Sequence, residues 1–352
     1  MNGWPDTRFT ALVGCTHPIA LAPMAGAGGV ELCVAAMEGG ALGSLPCGML
    51  GPERVSEQAA EVRARVSGPL NLNFFCHQMP QAADEAAWRN LLLPYRREFG
   101  AGAEGGGALR LPFDEAMCDA AVSIGPEVVS FHFGLPEERL LARLKSAGAV
   151  VVGNATTVAE ALWLAERGAD AVIAQGWEAG GHSGRFLGSD PAEAMTLFAL
   201  VPQVADAVGV PVIAAGGIGD ARGIAAALRL GAAAVQIGTA YLHCPESLVS
   251  EAHRAALAGQ PTLFTNLLTG GLARGVAGRL VRELGAIRDE APPYPLAADA
   301  LAPIRAEAEK RGEFGFGPMW AGQAGPLGRA LPAAALTRAL AAEALALAGG
   351  AR

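Results

Sequence analysis

The chain has 352 residues, of which 51% are hydrophobic and 17% charged, and its formal net charge is -8. This length and apolar content predict one barrel-sized unit with a smaller one appended, and they exclude a disordered or fibrous chain. The acidic balance excludes a general nucleic-acid or anionic-membrane surface, so any bound phosphate has to be held locally.

From Met1 to Cys15 the chain carries Asp6 and Arg8 and lacks the basic patch and apolar run of a signal peptide, which predicts a cytoplasmic protein. Short β-rich runs then alternate with Ala- and Leu-rich helical stretches, the pattern of a parallel sheet with helical crossovers. Strands are expected at Pro18 to Ala22, Ala41 to Leu45, Leu70 to Phe75 and Val128 to Phe133, and helices at Val30 to Gly39 and Pro52 to Val66. Between the third and fourth strands, Cys76 to Met117 reads as an insertion whose Gly-rich centre, Gly100 to Gly107, is a surface loop, with a lid as the weaker reading.

Helices Pro136 to Ala147, Thr157 to Gly168, Pro191 to Val208 and Ala221 to Gly231 alternate with strands Val150 to Gly153, Ala171 to Ala174, Val212 to Ala215 and Ala234 to Ile237. Eight strands close a barrel, so the fold class is α/β: a (β/α)8 TIM barrel over residues 10–245. Beyond Pro245 the β signal disappears, and residues 246–352 are expected to form a smaller, mainly helical region capping the barrel, with a break at Ala291 to Pro295. The Ala-rich tail, Leu331 to Gly349, is interrupted by Arg338 and Glu343 and reads as an amphipathic helix rather than a membrane span. Six scattered cysteines without a C-x-x-C pair read as reduced, packed thiols.

In such a barrel the active site forms at the C-terminal ends of the strands. Two Gly-bearing loops follow the last two strands, Gly216-Gly217 within AAGGIG and Gln236-Ile237-Gly238-Thr239 within VQIGTA. There side-chain-free backbone lets N–H groups approach an anion, which predicts a phosphate-bearing cofactor. After the sixth strand, Gln175 leads to Gly180-Gly181-His182, where two glycines deliver an imidazole onto an open face; neutral imidazole can take a proton from carbon. Ala22-Pro23-Met24 after the first strand offers a rigid turn for a flat heterocycle, Asn73 an amide for a ring edge, and His132 stands at the end of the fourth strand, facing the pocket or buried structurally. His17, His77, His243 and His253 read as structural. No H-E-x-x-H, C-x-x-C or G-x-S-x-G occurs, so neither a metal site nor a serine nucleophile is expected.

The runs APMAG (22–26), SFHFGLP (130–136), AQGWEAGGHSG (174–184), AAGGIG (214–219), VQIGTA (235–240) and WAGQ (320–323) resemble the motifs of nitronate monooxygenases, formerly 2-nitropropane dioxygenases. The resemblance covers nearly the whole chain. It implies noncovalent FMN, with Asn73, Gln175 and Gly180 near the ring and ribityl chain and Gly217 and Gln236 to Thr239 around the phosphate. His182 matches the family's catalytic histidine. The implied reaction oxidises a nitronate or nitroalkane, such as propionate 3-nitronate, with O2 to a carbonyl compound and nitrite. Ser44 to Leu50 departs from the glycine-richer second motif of the family, and only Tyr95, Tyr241 and Tyr294 occur as tyrosines; both departures bear on the substrate pocket. The EAGGH run is shared with flavin-dependent enoyl-acyl-carrier-protein reductases, which would use NAD(P)H, and a non-catalytic flavin-binding barrel is a third reading. The expected partners are a small-molecule substrate and O2; self-association is left open.

Overall fold

The computed structural model describes residues 3–80, 84–102, 109–188 and 190–349. Eleven strands occur among them: β1 (Ile19–Leu21), β2 (Gly43–Pro46), β3 (Leu70–Phe75), β4 (Val128–His132), β5 (Val150–Ala155), β6 (Ala171–Gln175), β7 (Gly181–His182), β8 (Val212–Ala215), β9 (Ala234–Ile237), β10 (Thr262–Thr265) and β11 (Ala273–Val276). Eight of them form a parallel sheet in the order β1-β9-β8-β6-β5-β4-β3-β2. The sheet closes on itself: Leu21 N donates to Leu42 O at 2.9 Å, Leu42 N donates to Ile19 O at 2.9 Å, and Ala20 bridges Leu42 in parallel. The expected TIM barrel is therefore the architecture observed.

Its strands are largely buried on both faces, as parallel strands covered by helices must be, which is why Val, Ile and Ala run through β8 and the first four residues of β6, while the glutamines of β6 and β9 stand at or next to the strand ends. Three of the surrounding helices start at side-chain caps that their sequences supply. Thr157 accepts from Glu160 N, Asp220 from Arg222 N and Gly223 N, and Asp114 from Met117 N. One expected helix is shorter than its composition suggests. Pro191–Glu193 is a separate 3-10 turn, and the helix begins only at Leu197.

One correction concerns β structure. The region beyond Pro245, expected to be without strands, contributes β10 and β11, which pair antiparallel with each other, while β11 pairs antiparallel with β7. Four-residue strands such as Ala273–Val276, containing Arg274 and Gly275, have too short an alternation to register in sequence. Their pairing partner, the two-residue β7, lies about 90 residues away in the chain, so only the tertiary fold brings the ladder together.

The insertion does not stand apart. Its helix Ala86–Phe99 packs against Ala297–Lys310, and Trp88, Leu92 and Phe99 share an apolar cluster with Leu301, Ile304 and Phe316. Trp88 is fully buried, and its indole N–H donates to Ala297 O at 3.2 Å. Most of the Gly-rich stretch read as a loop or lid, residues 103–107, lies outside the described residues. The last helix, Ala333–Gly349, packs on barrel helices Ala221–Arg229 and Val30–Glu38. Its fully buried Thr337 hydroxyl donates to Ala333 O and accepts from the Tyr241 hydroxyl at 2.7 Å. Among the described residues no helix is long and apolar enough to cross a membrane. The six cysteines are unpaired, five of them buried and Cys76 half-buried.

Because Trp88 joins the insertion to the C-terminal helices, Trp88→Ala is expected to destabilise the protein by about 3–5 kcal/mol through lost burial, the cavity left behind and the freed carbonyl. Urea unfolding would measure it, and a loss under about 1 kcal/mol would mean that the insertion helix is only loosely attached.

Candidate active site

The residues expected at the site lie in the C-terminal halves of parallel strands or in the loops that follow them, so the barrel itself gathers them towards one rim. Asn73 lies within β3, His132 ends β4, Gln175 ends β6, and Gln236 and Ile237 end β9. The loops after the first and last strands touch: a Cβ placed on Gly238 would meet Ala22 Cβ at 3.3 Å and Met24 Sδ at 3.4 Å. Gly180 is backed by main chain, since a Cβ there would overlap the Gly322 nitrogen of the WAGQ run. Ile237 is 1% exposed, so it can offer a ligand only its backbone. The Asn73 amide nitrogen donates to Ser130 O at 3.2 Å and Ser130 Oγ at 2.9 Å, which leaves its carbonyl oxygen as the group it can present.

His182 is held from every side. Its main chain is opposite Ala273 in the β7–β11 ladder. Its carbonyl oxygen accepts from Gln175 Nε2 at 2.9 Å and from His132 Nε2 at 3.2 Å. Gln175 is itself anchored, its Oε1 accepting from Gly184 N at 2.8 Å and Asn154 Nδ2 at 3.1 Å. The imidazole Nε2 lies 2.9 Å from the hydroxyl of buried Thr269, in the turn between β10 and β11. The loop preceding His182 is pinned by buried Arg274, whose Nε donates to Trp177 O at 3.1 Å while its guanidinium lies 4.3 Å over the Phe264 ring.

The surroundings of the imidazole are aromatic. Tyr294, Trp320 and Phe133 stand with ring centroids 5.1, 5.5 and 6.2 Å from that of His182. Phe133 has φ 67, the only positive value on a non-glycine residue among those described, and it turns the chain at the end of β4 so that its ring meets those of both His132 and Tyr294. His77, read as structural in the sequence, packs edge-on against Tyr294 at 4.8 Å. Burial pushes the His182 pKa well below the usual imidazole value, and the nearby charge of Arg110 and neighbouring His132 and His77 push the same way. Burial likewise takes His132 down to about 4. Both rings are therefore neutral at physiological pH, the state in which an imidazole can act as a base.

Thr269, Tyr294 and Arg110 were not found by reading the sequence. Tyr294 sits in the Pro-rich segment taken as a break, Thr269 in a stretch that looked like a helical cap, and Arg110 at the far end of the insertion. The low tyrosine count was the one available signal, since it singled out Tyr294 as one of three.

The rim fits a phosphate-bearing flat cofactor. Gly216 and Gly217 adopt φ 110 and 68, a backbone conformation that suits glycine. Among the described residues no protein acceptor takes the N–H of Gly217 or of Gly238. Thr239 Oγ1 accepts from Gly322 N at 2.9 Å, so its own O–H stays available to an anion. Among the described residues no group of three His, Cys, Asp or Glu side chains could hold a metal ion.

Five histidines, His17, His77, His132, His182 and His253, are shifted downward by burial. Their unfolded counterparts protonate near pH 6.5, so below that pH the unfolded chain binds more protons and stability falls as pH drops. Urea midpoints are expected to decline from about pH 6.5 towards pH 4, with His132 alone contributing on the order of 2 kcal/mol. A flat profile over that window would mean that these imidazoles are not desolvated in the folded state.

Comparison with known proteins places the chain. It matches the nitronate monooxygenase family over residues 6–343. It is 42% identical to a nitronate monooxygenase from Paraburkholderia phytofirmans across 94% of this chain and 92% of that one. Its fold superposes on a nitroalkane oxidase from Streptomyces ansochromogenes with a TM-score of 0.90 and 36% identity, covering 98% of this chain and 99% of that one. FabK from Thermotoga maritima is more distant on both measures, with a TM-score of 0.75 and 27% identity over 97% of each chain. The chain belongs to the nitronate monooxygenase family, and it is an oxidoreductase that oxidises nitronates or nitroalkanes.

Proposed function

We propose that the enzyme binds FMN noncovalently at the strand-end rim and that His182 is its catalytic base, acting on a nitronate or nitroalkane with O2 to yield a carbonyl compound and nitrite. The observation that carries this reading is the fixed, neutral imidazole beside a rim of unpaired backbone donors. Ala22, Pro23, Met24, Asn73, Gln175, Gly180, Gly181, Gly216, Gly217, Gln236, Ile237, Gly238 and Thr239 would hold the cofactor, with Gly217, Gly238 and Thr239 around its phosphate. When bound, FMN supplies the electron-accepting chemistry that a protein side chain lacks.

The residues of the chain prepare the substrate. A neutral nitroalkane must lose its α-proton, and the His182 imidazole, kept neutral by its aromatic surroundings, takes it. Thr269, bonded at Nε2, fixes the ring plane. His132 is a positioning residue in this reading: its N–H holds the His182 carbonyl and thereby the backbone that carries the base. Phe133, Tyr294 and Trp320 exclude water around the imidazole. The region 246–352, with the insertion 76–117, serves as the cap that brings Thr269 and Tyr294 over the barrel mouth.

His182→Asn is expected to lower turnover of neutral nitroalkanes by about 10²-fold or more, the usual loss on removing a general base. Preformed nitronates need no deprotonation and should lose far less. Steady-state kinetics with both substrates on the FMN-loaded variant decide it, since equal losses would leave His182 only a positioning role. With the pKa depressed, wild-type activity on nitroalkanes should hold through pH 6 and fall only at lower pH.

Gly217→Asp is expected to weaken FMN binding at least tenfold by placing negative charge among donors meant for a phosphate. Titration of apoprotein with FMN measures this, and unchanged affinity in a folded variant would move the phosphate elsewhere. Anaerobic mixing with NADH addresses the reductase reading: rapid flavin bleaching by NADH, with none by propionate 3-nitronate, would overturn nitronate oxidation.

A further inference from the structure

Glu160 stands in the first turn of the helix Val158–Glu166, yet it is only 1% exposed. Its carboxylate accepts four hydrogen bonds. Oε2 takes the Thr156 N–H at 2.7 Å and the Thr156 hydroxyl at 2.8 Å, and Oε1 takes the N–H groups of Phe186 and Leu187 at 2.6 and 3.1 Å. Among the described residues no lysine, arginine or histidine lies at ion-pair distance from it. A buried carboxylate without a counter-charge is a costly way to fill space that an apolar side chain could fill, so its value lies in the donors it holds.

Those donors belong to two stretches of chain that meet at His182. Phe186 and Leu187 follow it by four and five residues. The Phe186 ring packs on the helix that carries Glu160, edge-on to Trp163 at 5.0 Å, and it lies 3.5 Å from where a Cβ on Gly134 would stand, next to the Phe133 turn. Thr156 directly follows β5, whose Asn154 donates to Gln175 Oε1, and Gln175 in turn donates to the His182 carbonyl. Between the two stretches, Gly184 runs so close to the barrel that a Cβ there would overlap Asn154 and His132. The β7–β11 ladder holds this segment at one end, and the Glu160 carboxylate holds it at the other.

We infer that Glu160 is a positioning residue for His182: its carboxylate ties the segment 182–187 to the end of β5 and so fixes where the imidazole stands. It acts through the backbone and touches no reacting atom. The inference rests on the reading of His182 as the base, and it adds the group that holds the far side of the base's loop. Charge-assisted hydrogen bonds to backbone N–H groups are strong enough for this, and a base misplaced by about 1 Å loses rate steeply.

Two variants separate reach from charge. Glu160→Asp keeps the charge but is one methylene shorter, so it can keep Thr156, one turn back in the chain, only by releasing Phe186 and Leu187. Glu160→Gln keeps the length, and it can turn its carbonyl oxygen to those two N–H groups and its NH2 to the Thr156 hydroxyl. With FMN bound, Glu160→Asp is expected to lower kcat for neutral nitroethane by at least about tenfold but for ethyl nitronate by less than about threefold, while Glu160→Gln stays within about threefold of wild type on both. Equal losses on the two substrates in Glu160→Asp, no loss there, or a Glu160→Gln as impaired as Glu160→Asp would overturn the positioning role.

Hydrogen exchange gives a readout independent of turnover. Amides of the segment 182–187 should exchange at least about tenfold faster in Glu160→Asp than in wild type or Glu160→Gln, with β8 unchanged. Unchanged protection of that segment overturns the inference, and so does a Glu160→Asp that loses protection throughout, β8 included, since Glu160 would then serve the fold in general. Faster exchange confined to 182–187, with His182→Asn losing equally on both substrates, would leave Glu160 as the anchor of this segment and remove His182 as the base.

Discussion

The site depends on one ladder contact, the antiparallel pairing of His182 with Ala273. A two-residue strand cannot hold itself in place, and β7 emerges from a loop containing Gly180 and Gly181, where backbone freedom is greatest. Pairing with β11 removes that freedom, and the two donors on the His182 carbonyl, Gln175 and His132, remove what is left. In the role proposed for His182, a base has to meet its proton within a narrow range of distance and angle, so ordering this loop would contribute directly to rate. The same hairpin then reaches over the ring through Thr269, and the element that orders the backbone also orders the side chain.

The chemistry of the rim follows from the scarcity of charge. With a net charge of -8, the chain is not broadly basic, so a phosphate would have to be held by local groups. In the proposed reading, Gly216 and Gly217, both at positive φ, would offer backbone donors in place of cations.

Around His182 the aromatic rings and the base act together. Burial among Tyr294, Trp320 and Phe133 disfavours the imidazolium and lowers the pKa of His182. The cost appears elsewhere, since several desolvated histidines make the fold sensitive to acid.

The sequence alone determined the barrel, because eight apolar runs separated by capped helices have one compact solution once both sheet faces must be covered. It also determined the strand-end glycines and His182, whose positions follow from chain order once the strands are counted. What it could not show was how residues 262–294 return to the barrel mouth. The strands Thr262–Thr265 and Ala273–Val276 are too short to carry a periodicity, and their stability comes from a partner far away in the chain. Thr269, Tyr294 and Arg110 have no local signature, because each is an ordinary residue whose role is set by what the fold puts beside it. Only the tertiary structure decided that they meet around one imidazole, since such long-range contacts follow from burying the apolar cap formed by Trp88, Leu301 and Phe316, not from any pattern within a single segment.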